Sequence, residues 1–577
     1  MTLRATLCKS YVTVQPHSGP TTQGPSDTGA RDGDPSQPAR LAVDIRQLPW
    51  TTALAADYAF DHARLAGFFA GDPATPSAWR EAIRRAAAKP RQRDALVEVL
   101  RAQQRRRGAH ESATAAASQL RDAGSVAVVT GQQAGLFGGP LYTLLKALTA
   151  IQLAGRIRAE HQVAAVPVFW VEAEDHDWDE VKSCGLLDAA LAPQSVSAGD
   201  PAGSGTRPVA HVRLDEAVTA AIAAAEASLQ PTEFTPALLD DLRRHYAPGT
   251  GMATAFAGWL ERLLAPHGLV VFDASDAAAK PLAAGVFTRE ISLAGATSRL
   301  AAETGAALAA RGYHAQVTPA PGALALFHLG AGRRPIRIEG DDLVVGTDRT
   351  SPAALRALAE RTPAELSPNV LLRPIVQDTL FPTACYVAGP SELAYLGQLR
   401  RVYEAFDVPM PLVHPRASAT ILDAKAMRFL TRHDVPLQAL RAQDDAALNE
   451  VLLAQLPASV EAALEDASRA IDQRMSDLAR EVPHVDPTLA GAAQTTRTRM
   501  QDDLRKLHNK VLQAAKRKDE TLRRQFQHAR AQAFPAGRQQ ERAVGSLFFL
   551  NRYGPALIDR LLESLSVETA NHWVIAI

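Results

Sequence analysis

Cysteine is scarce in this sequence. Three cysteines occur among 577 residues, at Cys8, Cys184 and Cys385, and they form no CxxC pair. Disulfide frameworks and cysteine-built zinc sites both need several closely spaced cysteines, so we expect neither of them and no zinc. A chain that needs no disulfides suits a reducing compartment, and we therefore expect a cytoplasmic protein.

The sequence also lacks an excess of charge of either sign and any long hydrophobic run. Lys and Arg total 62, as do Asp and Glu, which predicts no global field that would recruit nucleic acid or an anionic membrane. No segment approaches the ~18 apolar residues of a membrane span. The start, "MTLRATLCKSYVTV", lacks the apolar centre of a signal peptide. We expect a soluble protein whose partners include neither nucleic acid nor membrane.

The length and texture of the chain predict several units. A chain of 577 residues is too long for one core, since domains usually have ~100–200 residues. A segment rich in Pro, Gly, Ser and Asp near the start predicts a disordered tail over 1–40. Helical periodicity then predicts an N-terminal helical segment over 41–120.

The middle of the chain reads as an α/β core. "SVAVVT" predicts a strand, "GQQAGLFGG" a turn, "PLYTLLKALTAIQLAG" a helix and "AAVPVFWV" a second, fully buried strand. This βαβ order predicts a parallel sheet, whose strands end at ligand-binding crevices. "GLVVFD" and "ACYVAG" predict further strands. We therefore expect a core over 121–420 that is assembled from distant pieces of the sequence.

Insertions and a helical extension complete the predicted organisation. The alanine-rich segment 186–266 is expected to be mainly helical, and 290–365 contains "HAQVT", "ALALFHL" and "RPIRI", which predict a small antiparallel meander. Over 421–540 two charged arms with apolar residues near 4-3 spacing predict an antiparallel coiled-coil hairpin. The apolar segment 541–577 is expected to return to the core.

The glycine-rich turn is a candidate anion site. Its glycines permit positive φ and close backbone approach, and the helix that follows offers free N–H groups to a phosphate or carboxylate. The spacing matches neither a P-loop nor a dinucleotide fingerprint, and a turn that serves only packing is the alternative. The candidate residues here are Gly131, Gln132, Gln133, Gly135, Gly139, Tyr142 and Lys146.

Three later stretches supply further candidates. In "YVAGPSELAYL", Glu392 lies in the first turn of a helix, where it would cap the helix or meet an amine. In "SPNVLLRPIVQ", Arg373 could bind a carboxylate through its two N–H groups, on a helix or, because of Pro374, on an extended segment. Arg416 in "HPRASAT" is expected to begin the helix that leads to the hairpin. The candidate binding residues of these stretches are Asn369, Arg373, Gln377, Glu392, Tyr395, Arg416 and Ser418.

The stretch "VEAEDHDWDE" surrounds His176 with six acidic residues directly after a predicted strand. Neighbours in sequence rarely converge on one metal ion without ligands from elsewhere. A socket for an amine, an acid/base centre and a solvated loop are the other interpretations, and the position at a strand end favours the amine.

Several long motifs together resemble the cysteine ligase of bacillithiol biosynthesis, the BshC family. They are "VVTGQQAGLFGGPLYTLLKALTAIQLA", "PVFWVEAEDHDWDEV", "LSPNVLLRPIVQDTLFPTACYVAGPSELAYLGQLRRVYEAF", "MPLVHPRASATILD" and "PAGRQQER", in this order from about residue 41 to the C-terminus. The resemblance implies a Rossmann-type core like that of class I aminoacyl-tRNA synthetases, with insertions and a long coiled coil that is linked to homodimer formation. It also implies that L-cysteine is joined to the amino group of glucosaminyl-malate in the last step of bacillithiol biosynthesis.

Amide formation from a carboxylate requires its activation, usually as an acyl adenylate or acyl phosphate, which implies ATP with Mg²⁺ as cofactor. On this hypothesis the glycine-rich turn, Lys146 and Arg416 meet phosphate or carboxylate groups, and Glu392 receives an amine. The candidate catalytic residues are Asp175, His176 and Asp177, with His176 as the general base. Another amino-acid-activating ligase or nucleotidyltransferase on this fold, and a coiled-coil scaffold without chemistry, are the alternatives.

Overall fold

A computed structural model describes residues 40–577 apart from 331, 455–457 and 519. The tail predicted over 1–40 lies outside the described residues, except for Arg40 at the start of the first strand.

The strands of the described residues are β1 (Arg40–Asp44), β2 (Val126–Gln133), β3 (Ala165–Glu172), β4 (Ser183–Leu187), β5 (Pro193–Ser197), β6 (Val270–Asp273), β7 (Ala323–His328), β8 (Arg334–Glu339), β9 (Asp342–Val345), β10 (Asp348–Thr350), β11 (Leu366–Pro368), β12 (Thr383–Ala388), β13 (Leu412–Pro415), β14 (Ser418–Leu422) and β15 (Asn571–Ala576).

The α-helices of the same residues are α1 (Ala53–Phe60), α2 (Pro76–Ala88), α3 (Arg93–Arg107), α4 (Glu111–Gln119), α5 (Leu141–His161), α6 (Trp178–Val181), α7 (Ala217–Ser228), α8 (Thr235–His245), α9 (Met252–Leu264), α10 (Ala284–Ser292), α11 (Ala296–Ala310), α12 (Pro352–Arg361), α13 (Arg373–Leu380), α14 (Pro390–Leu396), α15 (Arg400–Phe406), α16 (Ala424–His433), α17 (Ala446–Ala454), α18 (Ala458–Glu481), α19 (Leu489–Lys518), α20 (Glu520–Ala533), α21 (Gln540–Ala543), α22 (Ser546–Tyr553) and α23 (Leu557–Ser564).

A parallel sheet forms the centre of the fold, in the strand order β13-β12-β2-β3-β6. All four of its strand pairings are parallel. This confirms the predicted Rossmann-type parallel core, including its assembly from strands far apart in the sequence. The edge strand β13 was not predicted.

Both faces of this sheet are buried, which explains why its strands read as continuous apolar runs. Along β3, Val168 and Trp170 join one hydrophobic core, whereas Phe169 and Val171 join the core on the opposite face. Because successive side chains of a strand point to opposite faces, every residue of β3 contributes to burial. Each large side chain buried in this way stabilises the fold by about 1.5–3 kcal/mol before the entropy of ordering it is counted.

Smaller sheets lie outside the centre. A five-stranded antiparallel sheet has the order β10-β9-β8-β7-β11. It takes in the predicted segments "ALALFHL" and "RPIRI", whereas "HAQVT" is not in a strand. The segment between β3 and β6 contains α7, α8 and α9 but also the hairpin of β4 and β5, which the alanine-rich composition did not indicate.

The C-terminal part combines a helical hairpin with a return to the body of the fold. Helices α18 and α19 have 24 and 30 residues and pair along their length, with Arg497 Nε 2.8 Å from Asp472 Oδ1. The predicted coiled-coil hairpin is thus present in the structure. The last strand, β15, pairs with both β1 and β14, and so joins the two ends of the described chain.

Two further observations concern this part of the molecule. The prediction that Arg416 begins a helix is wrong. Arg416 lies between β13 and β14, and the next helix begins at Ala424. The run "SATIL" favours a strand at this position because it contains the β-branched residues Thr420 and Ile421. None of the helices in the described ranges is long and apolar enough to cross a membrane.

Candidate active site

A cavity opens at the carboxyl ends of β2, β3, β12 and β13, the edge of a parallel sheet where ligands usually bind. It encloses about 250 Å³, a little below the ~300–1,000 Å³ of sites for drug-sized ligands, and about 880 Å³ of atom-free space when its open mouth is counted. We call it the strand-end cavity. Nine predicted residues line it: Gly131, Gln132, Gln133, Tyr142, Lys146, Arg373, Gln377, Glu392 and Arg416.

The buried Lys146 and the partly exposed Glu392 form an ion pair in the wall of this cavity. Lys146 Nζ also donates to Gly131 O at 2.8 Å and to Gln132 Oε1 at 3.0 Å. Burial lowers the pKa of Lys146, an effect that Glu392 partly offsets. The ammonium group of Lys146 is therefore enclosed and fully hydrogen-bonded.

Glu392 is equally committed within the protein. Its Oε2 accepts from the N–H of Gly389 at 2.6 Å, and its Oε1 accepts from Tyr386 Oη at 2.7 Å. The capping interpretation of Glu392 is therefore confirmed by its geometry. Together with the Lys146 ion pair, these bonds engage both of its oxygens within the protein.

A second ion pair joins Arg373 to Glu172, with Nη1 and Oε2 3.3 Å apart. Helix α13 begins at Arg373 with Pro374 in its first turn, which settles the choice between helix and extended segment. Burial alone would lower the pKa of Arg373, but the nearby Glu172 carboxylate raises it further above its ordinary value. Arg373 Nη2 also donates to Tyr395 Oη at 3.4 Å.

A third, fully buried pair joins Arg416 to Glu541, with contacts of 2.8 and 2.6 Å. Ser418 Oγ donates to Glu541 at 3.1 Å and lies 2.7 Å from Nδ1 of His572. Thr420 Oγ1 lies 2.9 Å from the other ring nitrogen. Burial lowers the pKa of His572 to about 4, so the ring is neutral at pH 7. Ser418 is thus a structural member of this network rather than the cap of a helix.

Two charged side chains of the lining are left over. Glu180 and Arg542 have no ion-pair partner among the described residues. Both lie near Tyr142, and the guanidinium carbon of Arg542 is 5.6 Å from the centre of its ring. Burial raises the pKa of Glu180, while a hydrogen bond from Gln133 opposes the rise. The cavity therefore presents one carboxylate and one guanidinium to a ligand.

The sequence held only weak signals for these two residues. Glu180 is the last residue of the quoted acidic stretch, and Arg542 is the last residue of the motif "PAGRQQER". Neither was singled out. Arg542 reaches the cavity from a part of the chain more than a hundred residues beyond β13, a proximity that no local pattern indicates.

The glycine-rich turn uses its N–H groups internally. The N–H of Gly139 donates to Leu136 O at 2.9 Å, and the N–H of Leu141, at the start of α5, donates to Val544 O at 2.8 Å. The N–H of Gly138 meets Gly135 O and Tyr246 Oη at 3.2 and 3.1 Å. Gly135 and Gly139 do not line the strand-end cavity. These residues therefore do not fit a phosphate cradle.

The predicted catalytic cluster lies beside the strand-end cavity rather than in its lining. His176 Nδ1 is 3.2 Å from Asp175 Oδ1, and Arg333 Nη1 is 3.1 Å from the same oxygen. The His176 side chain is 50% exposed. Asp177 caps α6 by accepting from the N–H of Glu180 at 3.2 Å. Neutralisation by Arg333 and capping thus account for the two aspartates.

Other predicted residues have structural roles. Asn369 lies before α13 and stabilises the turn that leads into it, because its Oδ1 accepts from the N–H of Leu371 at 2.9 Å. It does not line the cavity, whereas Gln377 does and donates to Asp378 Oδ1 at 2.9 Å. The arrangement of the described side chains contains no group of three His, Cys, Asp or Glu residues that could hold a metal ion.

Comparisons with known proteins cover nearly the whole described chain. The profile of the bacillithiol biosynthesis BshC N-terminal Rossmann-like domain matches residues 41–417, and that of the BshC C-terminal coiled-coil domain matches 419–577. A protein of Salinibacter ruber named "Putative cysteine ligase BshC" is 36% identical over 526 residues, which cover 90% of this chain and 95% of the relative. A protein of the same name from Koribacter versatilis is 32% identical over 528 residues, 90% of this chain and 97% of the relative.

Proposed function

The chain belongs to the bacillithiol biosynthesis BshC family, and from this premise we propose that it is a ligase that joins L-cysteine to the amino group of glucosaminyl-malate. The observation that carries the proposal is the pair of charges without ion partners, Glu180 and Arg542, in the strand-end cavity. An amino acid is a zwitterion whose two charges need partners of opposite sign.

In this proposal cysteine binds beside Tyr142 in the strand-end cavity. Its α-ammonium group contacts Glu180, and its carboxylate contacts Arg542 through charge-assisted hydrogen bonds. The other ions of the lining are paired with charged side chains of the protein, as Lys146 is with Glu392 and Arg416 is with Glu541, and these pairs fix the walls. Binding therefore adds the opposite charges that these two side chains lack.

The chemistry forms a bond between the carboxyl carbon of cysteine and the neutral amine nitrogen of the acceptor. One carboxylate oxygen would leave with the phosphate or AMP group that activated it, and the nitrogen would release one proton to water. ATP with Mg²⁺ is the proposed energy source, and when bound it supplies the activation of the carboxylate. We assign none of the turn residues Gly131, Gly135 and Gly139 to it, because the turn does not fit a phosphate cradle. Within the protein, Glu180 and Arg542 orient the donor, and exclusion of water by the cavity walls protects the activated group.

We also propose that the enzyme acts in the cytoplasm as a homodimer that associates through the helical hairpin. Among the described residues, five of the seven exposed large hydrophobic side chains lie on this hairpin or its tip: Leu478, Val485, Leu489, Met500 and Leu507. Exposed apolar side chains that are gathered on one element are typical of a surface that meets a partner.

The test is a reconstituted reaction of the purified chain with L-cysteine, glucosaminyl-malate, ATP and Mg²⁺. Mass spectrometry should detect bacillithiol, and omission of ATP should abolish its formation. A deletion strain should accumulate glucosaminyl-malate and lack bacillithiol. Normal bacillithiol in that strain would refute the proposal, and product formation with another amino acid in place of cysteine would replace it by a different ligase.

A further inference from the structure

A second cavity lies next to the strand-end cavity and is built from both ends of the described chain. It is lined by residues of 45–55, which precede and begin α1, and by residues of 568–571, which lead into β15. It encloses about 130 Å³, and about 840 Å³ of atom-free space when its open mouth is counted. We call it the terminal cavity.

The two cavities share a wall. Gly389, Pro390, Arg416 and Arg542 line both of them. Arg416 is held by its buried pair with Glu541, so this part of the wall is fixed. Arg542 is exposed and has no carboxylate partner in the described part of the chain. A group bound by Arg542 therefore lies at the boundary, within reach of ligands on either side.

The lining of the terminal cavity combines an apolar side with polar groups that bond to nothing else. Leu48 and the half-buried Trp50 supply apolar and aromatic surface. The side chains of Gln539, Thr569 and Asn571 carry donors and acceptors without a hydrogen-bond partner among the described residues. An aromatic face beside several free hydrogen-bonding groups suits a polyhydroxylated ligand such as a sugar, whose C–H face is apolar and whose rim is polar.

We infer that the terminal cavity is the acceptor subsite: it binds the amine-bearing, carboxylated sugar derivative, while cysteine occupies the strand-end cavity. The inference rests on the proposed function and assigns one substrate to each cavity. Arg542 holds the cysteine carboxylate at the shared wall, so the acceptor amine approaches the carboxyl carbon from the terminal side. Glu180, the partner proposed for the cysteine ammonium group, lines the strand-end cavity but not the terminal one, which fixes the direction of this assignment.

The experiment fills the terminal cavity without touching the other. Ala55 on α1 faces the terminal cavity, and Ala53, two residues earlier on the same helix, is exposed and lines neither cavity. Ala55→Leu is expected to raise the Kd for glucosaminyl-malate, measured by calorimetry without cysteine, at least tenfold. The KM for cysteine should change less than twofold. Ala53→Leu, the matched control, should leave both values unchanged.

A second variant guards against a packing defect. Gln539→Leu keeps the size of a half-buried side chain that makes no internal hydrogen bond, and should raise the same Kd at least threefold with an unchanged melting temperature. The inference is overturned if the wild-type chain fails to bind glucosaminyl-malate, if neither variant weakens that binding, or if cysteine binding weakens instead. Because this binding is measured without catalysis, loss of acceptor binding in the variants would support the subsite even if the chain ligated an amino acid other than cysteine.

Discussion

Glu180 and Arg542 differ from the other charged side chains of the strand-end cavity because no opposite charge neutralises them within the described residues. Substitution of Glu180 by Gln removes the proposed contact with the cysteine ammonium group but keeps the shape and the hydrogen bond with Gln133. We expect Glu180→Gln to raise the KM for cysteine at least tenfold, about 1.4 kcal/mol, with little change in the KM for the acceptor. Steady-state kinetics with each substrate varied in turn measures this.

The matched control is His176→Asn, four residues earlier. Its imidazole is half exposed and lies outside the cavity lining, so kcat and both KM values should stay within about twofold of wild type. A large loss of kcat in His176→Asn together with normal kinetics of Glu180→Gln would restore the histidine as the general base and contradict the site described above.

His572 makes the stability of the chain depend on pH in a defined direction. Burial lowers its pKa from 6.5 to about 4. The nearby Glu541 carboxylate raises this pKa and the Arg416 guanidinium lowers it, both by less than burial does. Between these pH values the unfolded chain binds a proton at this histidine that the folded chain does not bind. The stability that this residue contributes is therefore present above about pH 6.5 and is lost as the pH falls toward 4.

The prediction is tested by comparing the wild-type chain with His572→Gln. The difference between their free energies of unfolding in urea should shrink by about 3 kcal/mol from pH 7 to pH 4. The comparison is needed because other buried groups titrate in this range; burial raises the pKa of Glu174 to about 7 and that of Asp378 to about 6. A difference that does not vary with pH would show that His572 is not a neutral buried group.

At the scale of elements, close contacts between β4 and the end of α21 with the residues that follow it fix the position of Arg542. The N–H of Gly545 donates to the carbonyl of Gly185 in β4 at 2.8 Å. A Cβ atom at Gly185 would lie 2.0 Å from Ala543 O, so the carbonyl would have to move. We expect Gly185→Ala to destabilise the fold by about 1–3 kcal/mol and to raise the KM for cysteine, because Arg542 directly precedes Ala543.

Gly155 provides the control for this substitution. It lies inside α5, and the nearest atom to a Cβ there would be Arg158 Nη2 at 3.7 Å, an ordinary contact. Gly155→Ala should leave the kinetics unchanged and stabilise the chain by about 0.5–1 kcal/mol. Urea unfolding and cysteine kinetics of both variants give the comparison, and equal stability of the two would mean that β4 and this segment are not in tight contact.

The same elements show what the sequence could and could not predict. Strands β2, β3, β6 and β12 were predictable because burial of both faces makes them apolar runs with turns at their ends. β13 and β14 were not, because they are short and separated only by Arg416 and Ala417. Of the site, the residues at the ends of predicted strands were found. Arg542 was not, since its place depends on the return of the C-terminal segment to the sheet edge.

The stretch "VEAEDHDWDE" likewise has one property that the sequence predicts and one that it does not. Its position at a strand end was predictable, but the partner of each acid was not. Glu172 is paired with Arg373, whereas Glu174 is buried against Lys280. Because both cations come from distant parts of the chain, only the fold shows that Glu180 is the acid of this stretch that lines the strand-end cavity without a cation among the described residues.

At the scale of the whole molecule, the helical hairpin carries most of the large apolar side chains that one copy of the chain leaves exposed among the described residues. Leu478 and Leu507 are 47% and 51% exposed, although both lie on helices that already pair with each other. If two copies associate through these helices, the side chains become buried, at about 25 cal/mol for each Å² of apolar surface removed from water. Dimer formation would then account for the exposed apolar side chains of the hairpin, with no change in the part of the molecule that contains the cavities.

We therefore expect the wild-type chain to sediment as a dimer at micromolar concentration and Leu478→Glu with Leu507→Glu to sediment as a monomer, since a charge in an apolar interface is costly to bury. Leu41→Glu, at an exposed leucine outside the hairpin, should remain dimeric. Circular dichroism should show unchanged helix content in all three proteins. Because both cavities are lined by residues of one chain, the monomeric variant should keep its KM for cysteine, and a monomeric wild-type chain would contradict the proposed assembly.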